Sequence, residues 1–425
     1  MSEEHLYLFL NETLMGTLFR STQGKLRFCY DKDYLRKGPG IPLSLSMPLQ
    51  EECYPHEKVT PFLWGLLPDN DLLLERWAAR FQVSASNPFA LLGALGEDCA
   101  GALRFVSEDH LKKVHQGGKK KLTMAHIEER LSALQSDPSL GRTLEDQGQF
   151  SLAGAQAKTA LQKVGSQWFL PWGNEPTTHI LKPPRPDLNG HVENEHFCLQ
   201  LAACLGLETA ASEVVHFGKA SAIVVTRYDR IERNKKILRL HQEDMCQALS
   251  ISPSRKYENM GGPGIPAIME LLNQSSSAKK DRDTFMRAIL FNYLILGSDA
   301  HGKNYSLLLG NHGEVRLAPL YDIASLLPYT PRPRDQRLSM RIDHVYRDDQ
   351  ITPRHFERMA RRCEYSYPQL HETIQEYLSK IPELSKSLCA ELYRKGIRHP
   401  VLRILNKSLQ QRCTMIAQEF QTSKT

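Results

Sequence analysis

Several common features are missing from this 425-residue chain. No run of about 18 apolar residues occurs, so no membrane-spanning helix is expected. The first residues, Met1-Ser2-Glu3-Glu4, are acidic and run straight into Leu6–Leu10, so no secretory signal is expected either. Cysteine is sparse and unpatterned: nine are present, an odd number, without a C-x-x-C pair. Dispersed reduced thiols of a cytoplasmic protein are expected, neither a disulfide frame nor a zinc site. The sixteen histidines include no H-x-H or H-x-x-x-H pair, which leaves a zinc or iron centre without a local ligand pair. No repeat at a period of 20–50 residues is visible. With 41% hydrophobic and 24% charged residues, the composition is that of a globular chain and excludes disorder as the main state.

The net charge of +6 is unevenly placed. Residues 331–425 carry 18 Lys and Arg against 11 Asp and Glu, a balance of +7 that leaves −1 for the preceding 330 residues. Arg354, Arg358, Arg361 and Arg362 form the densest part. Such a patch attracts nucleic acid through counterion release, but at this modest charge a solvated helix face is the first reading.

Along the chain, Leu6–Leu10, Leu14–Phe19 and Leu26–Tyr30 alternate with turn signals and predict a β-meander. Helical spacing follows in Pro61–Leu67 and Leu72–Phe81, then a strand at Gly101–Val106. The lysine-rich stretch Ser107–Lys121 reads as a loop or domain boundary. From Phe150 a hairpin is expected, Ala160–Val164 against Gln167–Leu170, then a strand at Thr178–Lys182 and a helix from Glu193 to Leu205. Strands Glu213–Phe217 and Ala222–Arg227 come next. After Asp244 the pattern turns helical: Ile265–Leu272, Asp281–Gly297, His355–Cys363, Tyr367–Leu378 and Val401–Phe420. One hairpin interrupts it, Tyr305–Leu309 against Val315–Leu320. Three domains are expected: 1–149, a β-meander with helices; 150–245, sheet-rich; and 246–425, helical.

Ser298-Asp299-Ala300-His301-Gly302-Lys303-Asn304 follows an apolar helix and precedes that hairpin. Phosphoryl transfer needs a carboxylate to accept the proton of the attacking hydroxyl, and an oxygen ligand nearby to hold magnesium against the phosphates. Asp299 and Asn304, five residues apart, have the spacing of the kinase pattern H-R-D-x-x-x-x-N. Alone, the pair reads as helix and turn caps. Asp322, at the end of the hairpin in Leu317-Ala318-Pro319-Leu320-Tyr321-Asp322, supplies a second carboxylate where kinases carry their metal-binding Asp. Upstream, Lys182 sits on an alternating strand from which a cation reaches phosphates, and Glu195 on the next helix is placed to hold it. Ser151-Leu152-Ala153-Gly154-Ala155-Gln156-Ala157-Lys158-Thr159 has backbone N–H groups to drape over phosphates. It lacks the G-x-x-x-x-G-K spacing and leads into a strand, which excludes a P-loop.

Taken in order, these segments resemble the HipA-like serine/threonine kinases, toxins of type II toxin–antitoxin modules. The resemblance covers nearly the whole chain. It includes Pro42–Ser46, Leu66–Asp69, Gly101-Ala102, Ser151–Leu161, Thr178–Lys182, Asn194-Glu195, Arg227–Arg230, Gln242–Gln247, Gly261–Gly264, Asp299–Asn304 and Tyr321-Asp322. It implies an α+β fold, a bilobal protein-kinase-like architecture related to phosphoinositide kinases, with an N-terminal β-rich subdomain. It implies ATP and Mg2+ as cofactors, with Asp299 as catalytic base and Asn304 and Asp322 as magnesium ligands. ATP contacts would come from Leu152, Ala153, Gly154, Ala155, Gln156, Ala157, Lys158, Lys182, Thr226, Arg227, Tyr228, His301, Lys303, Asn304, Tyr321 and Asp322. Glu195 would orient Lys182, and Ser151 would be the autophosphorylated serine. The implied target is an aminoacyl-tRNA synthetase, glutamyl-specific in the best-known type, so that translation stops and the cell enters dormancy or persistence. The implied partners are a helix-turn-helix antitoxin and, through that complex, operator DNA, with Arg358, Arg361 and Arg362 as contacts. Ala157, Ala300 and Thr226 depart from the family pattern in the phosphate segment, catalytic loop and hinge. Two other readings compete: a small-molecule or lipid kinase, which would lack the front module and the Ser151 segment, and a catalytically silent DNA-complex component, which would not need Asp299, Asn304, Asp322 and Lys182.

Overall fold

The computed structural model describes residues 3–137, 140, 151–234 and 236–422. The chain forms two compact units, one of Met1–Pro183, His216–Arg255 and Ser306–Ala318, the other of Pro184–Val215, Lys256–Tyr305 and Pro319–Thr425.

The first unit opens with the expected meander, β1 (Glu4–Leu10), β2 (Thr13–Arg20) and β3 (Leu26–Tyr30), and β4 (Leu103–Val106) completes a sheet of order β3-β2-β1-β4. Alternation decides the buried face: Leu26, Phe28 and Tyr30 are buried while Arg27 is exposed. Five helices follow in sequence: α1 (Lys32–Lys37), α2 (His56–Gly65), α3 (Asp71–Phe81), α4 (Pro88–Leu95) and α5 (Met124–Ser136). Of these, α2 packs on β3 and α4 on β4, burying Phe62, Leu63, Leu91 and Leu92.

Two expectations are corrected here. Cys29 and Cys53 form a disulfide, so not every thiol is reduced. A backbone bridge between their neighbours Phe28 and Tyr54 returns the chain alongside β3, and no local cysteine pattern encodes that long-range approach. The lysine-rich stretch is not all loop, because Gly117–Leu122 is strand β5. It pairs with β7 at the edge of a six-stranded sheet, where charged side chains discourage further strand pairing. That sheet has order β5-β7-β6-β8-β10-β9, with β6 (Thr159–Val164), β7 (Gln167–Gly173), β8 (His179–Lys182), β9 (Ser212–Phe217) and β10 (Ala220–Thr226). The domain boundary expected at 149 lies outside the described residues.

The hairpin of β11 (Arg230–Arg233) and β12 (Lys236–Arg239) was not anticipated. Nor was β13 (His241–Asp244), which pairs with β14 (Ser306–Leu309) and through it with β15 (Val315–Leu317). The one-turn helix α7 (Met245–Ala248) starts at a capping box between Asp244 and Gln247.

The second unit is helical: α6 (His191–Cys204), α8 (Ile265–Leu271), α9 (Ala278–Ile295), α10 (Pro353–Arg362), α11 (Tyr367–Arg394) and α12 (Pro400–Thr422). A further unanticipated hairpin joins β16 (Arg337–Ile342) to β17 (Val345–Arg347). Helix α11 runs past its expected end and through Pro382. Its buried stripe, including Leu370, Ile374, Tyr377, Ile381, Leu388 and Leu392, outweighs the roughly 3 kcal/mol that an internal proline costs. No helix among the described residues is long and apolar enough to cross a membrane.

Candidate active site

In the second unit the candidate loop is shaped by the end of α9. Leu296 turns left-handed at φ 53°, and Gly297 donates its N–H to the Asn292 carbonyl at 2.7 Å. A Cβ on Gly297 would stand 2.3 Å from Asn292 Oδ1, so the close approach requires glycine. Asn292 donates in turn to the Ala288 carbonyl and Tyr305 Oη, both at 3.1 Å. Loop 298–304 is thereby held at both ends. Inside it, His301 N–H reaches the Asp299 carbonyl at 2.8 Å and Asn304 N–H the His301 carbonyl at 2.9 Å.

Asp299 is exposed. Tyr257 Oη donates to its Oδ1 at 2.7 Å, and Asn304 Nδ2 donates to its backbone carbonyl at 2.9 Å. His301 and Lys303 are buried, and the His301 ring meets Tyr257 edge-on at 5.1 Å. Tyr321 Oη donates to the Lys303 carbonyl at 2.7 Å, which ties the loop to the residue before Asp322. Asp322 is exposed and left-handed, at φ 56°, a region in which a non-glycine residue is strained. Asn304, Tyr321 and Asp322 line one small cavity with Asn292, Ala300 and Tyr305, with room for little more than a single water. Its amide and carboxylate oxygens are the hard donors that Mg2+ takes, so the residues present fit that ion. The Arg185 guanidinium, hydrogen-bonded to Asp187 at 3.1 and 2.6 Å, is held in its charged form first by Asp187 and further by Asp299 and Asp322.

The remaining expected residues lie as follows. In the first unit Ser151 is fully buried; its Oγ donates to the Leu66 carbonyl at 2.7 Å and its N–H to the Asp98 carbonyl at 3.0 Å. Leu152 packs with Ala160 and Ile180. Lys158 Nζ donates to the Ala153 carbonyl at 2.5 Å, curling the segment around Gly154, whose φ is 99°. Ala155 is exposed, and Gln156 and Ala157 are half-buried. Lys182 is buried on β8 opposite Ile223, and Thr226 is exposed opposite His179. The Arg227 side chain is committed elsewhere: its guanidinium bonds Asp229, Asp98, Thr177 and the Cys99 carbonyl. Tyr228 Oη hydrogen-bonds Gln242. In the second unit Glu195 is buried in α6. On α10, Arg358 and Arg362 lie 3.8 and 3.4 Å from Asp343, and Arg361 pairs with Glu357 at 3.2 Å.

Metal-ligating side chains also gather at Asp343, His344 and His355. His355 Nδ1 accepts the Thr352 N–H at 3.0 Å, which puts the proton of the neutral ring on Nε2. With two guanidiniums already on Asp343, the cluster reads as a helix cap and ion-pair node.

Sequence reasoning assigned no role to Tyr257, Asn194 or the buried ionic network around Asp98. Each acts through a partner distant in sequence, and no local spacing signals it.

An α+β fold that carries a lysine on an antiparallel sheet and a D-x-x-x-x-N loop after an apolar helix belongs to the protein-kinase-like class. The family model for the HipA-like C-terminal domain matches residues 150–384, and that for the HipA N-terminal domain matches residues 6–106. A protein of Shewanella oneidensis named serine/threonine-protein kinase toxin HipA is 32% identical over 365 residues, covering 81% of this chain and 80% of its own. The protein named "Putative kinase Y4mE" of Sinorhizobium fredii is 36% identical over 336 residues, covering 77% and 79%. Among solved structures, the Shewanella oneidensis complex of HipA, HipB and operator DNA aligns with a TM-score of 0.81 at 26% identity, covering 97% of each chain. The chain belongs to the HipA family of serine/threonine-kinase toxins.

Proposed function

We propose that this protein transfers the γ-phosphoryl group of ATP to a serine hydroxyl of a protein. The observation that carries the reading is the loop of Asp299 and Asn304, with Asn304 and Asp322 lining one cavity. Asp299 accepts the proton of the incoming hydroxyl as its oxygen bonds phosphorus and the bond to ADP breaks. Tyr257 holds one carboxylate oxygen and leaves the other to the substrate. Asn304 and Asp322 are the residues that would hold Mg2+, which when bound offsets phosphate charge. Lys182, oriented by Glu195, binds phosphate, the segment from Leu152 to Lys158 covers it, and the Thr226–Tyr228 stretch takes the adenine. His301, Lys303 and Tyr321 complete the ATP contacts.

The family membership and the complex of the Shewanella relative support a helix-turn-helix antitoxin as partner and operator DNA as the target of the complex. The exposed guanidiniums of Arg358, Arg361 and Arg362 are its candidate DNA contacts. The protein substrate we assign is an aminoacyl-tRNA synthetase, glutamyl-specific, acted on in the cytoplasm; its phosphorylation arrests translation and brings dormancy or persistence. Ser151 is the regulatory autophosphorylation site.

The test is ADP formation by the full chain with ATP and Mg2+. Asp299→Ala and Asp322→Ala are each expected to slow it on the order of a thousandfold. Near-native turnover in both variants would reject the assignment.

A further inference from the structure

Asn194 is fully buried in α6, and its carboxamide meets both backbone groups of one residue outside the helix. Its Nδ2 donates to the Ser325 carbonyl at 2.7 Å, while its Oδ1 accepts the Ser325 N–H at 3.1 Å. Tyr329 Oη, 3.3 Å from Nδ2, and the Cys198 thiol, 3.3 Å from Oδ1, complete its partners. The side chain thus pairs with both backbone groups of Ser325, as a neighbouring strand would.

Ser325 lies three residues after Asp322. The short stretch containing Asp322 is anchored on each side. Before it, Leu320 exchanges backbone bonds of 2.8 Å with Glu208 and Ala210. After it, Ser325 Oγ donates to the Ile295 carbonyl at 2.5 Å and Leu326 N–H to the Leu296 carbonyl at 3.0 Å. These bonds join the stretch to the end of α9, from which the Asp299 loop departs. Between the anchors Asp322 keeps a left-handed backbone, a conformation that persists in a non-glycine residue only where its surroundings over-determine it.

We propose that Asn194 is a positioning residue for Asp322, fixing the downstream anchor so that the Asp322 carboxylate faces the cavity shared with Asn304. The inference rests on the reading of those two residues as divalent-cation ligands. Without the carboxamide, the Ser325 N–H and carbonyl lose partners in a buried setting, and the stretch relaxes away from the strained geometry.

The experiment measures Mn2+ binding to the full chain by electron paramagnetic resonance, with melting temperature as the folding control. Wild type, Asn194→Ala, Asn194→Asp and Asp322→Asn are compared. Asn194→Asp keeps the volume but sets an acceptor against the Ser325 carbonyl, and it serves if the alanine variant does not fold. About tenfold weaker Mn2+ binding in the Asn194 variants is expected, the scale of losing one buried hydrogen-bonded group, with metal-free nucleotide affinity within about twofold of wild type. Weak binding in Asp322→Asn but wild-type affinity in both Asn194 variants overturns the positioning role alone. Unchanged binding in Asp322→Asn overturns the cation reading on which it rests.

Discussion

Glu243 is a fully buried carboxyl on β13, with Ser44 Oγ 2.5 Å from Oε2 and the Leu45 N–H donating to Oε1 at 2.8 Å. Burial pushes its pKa up to about 8, against the hydrogen bonds of Ser44 and Leu45, which lower it. A carboxyl raised from 4.5 in this way binds its proton more tightly folded than unfolded. Its contribution is complete below pH 4.5 and is lost as pH rises toward about 8. His196 and His241 work at the other end. Burial pushes both down to about 4 from 6.5, so their contribution is complete above pH 6.5 and lost as pH falls toward 4. The expected outcome is that Glu243→Gln flattens the alkaline decline: its melting temperature gains on wild type between about pH 5 and 8. Equal slopes over that range would assign the decline to other groups.

At the scale of elements, the turn carrying Asp98 links much of the first unit. Its Oδ1 accepts from Arg230 at 2.8 Å and Arg239 at 2.9 Å, and its Oδ2 from Thr177 Oγ1 at 2.7 Å and Arg227 at 3.3 Å. Burial alone raises its pKa, but the three guanidiniums outweigh it and hold the carboxylate well below its usual range. The same residue's carbonyl holds the Ser151 N–H. Asp98→Asn leaves buried guanidiniums without their counter-charge and is expected to cost about 3–5 kcal/mol, read as the midpoint shift in urea unfolding. A shift worth less than about 1 kcal/mol would show that Asp229 alone satisfies the arginines.

What was legible in the sequence follows the same distinction between local and distant partners. The meander, the β6–β7 hairpin and most helices show themselves through alternation or 3.6-residue spacing, because one buried face repeats within a few residues. Asp299 and Asn304 were legible because one loop carries both. Tyr257 meets Asp299 across 42 positions, Asn194 meets Ser325 across 131, and Asp98 meets Arg230 across 132. No periodicity spans such distances. β5 was hidden because its lysines guard an edge, and the extension of α11 because Pro382 reads locally as a stop.

On the scale of the whole molecule, several arginines of residues 331–425 are paired with carboxylates of the same segment. Arg412 is buried against Asp348 at 2.6 Å, and Arg358 and Arg362 share Asp343. These pairs cancel within the sum, so the balance of +7 for residues 331–425 is unchanged by them. If the chain is the ATP-dependent kinase proposed above, its own Ser151 is a substrate. Ser151 is buried with its hydroxyl on the Leu66 carbonyl, so a phosphate there, carrying about −1.5 to −2 of charge, is expected to drive the segment outward. The most direct measurement is intact-mass analysis with peptide mapping after incubation of wild type and Asp299→Ala with ATP and Mg2+. One added phosphate on Ser151 is expected in wild type and none in the variant. A wild-type chain that stays unmodified at Ser151, or a variant modified to the same extent, would contradict it.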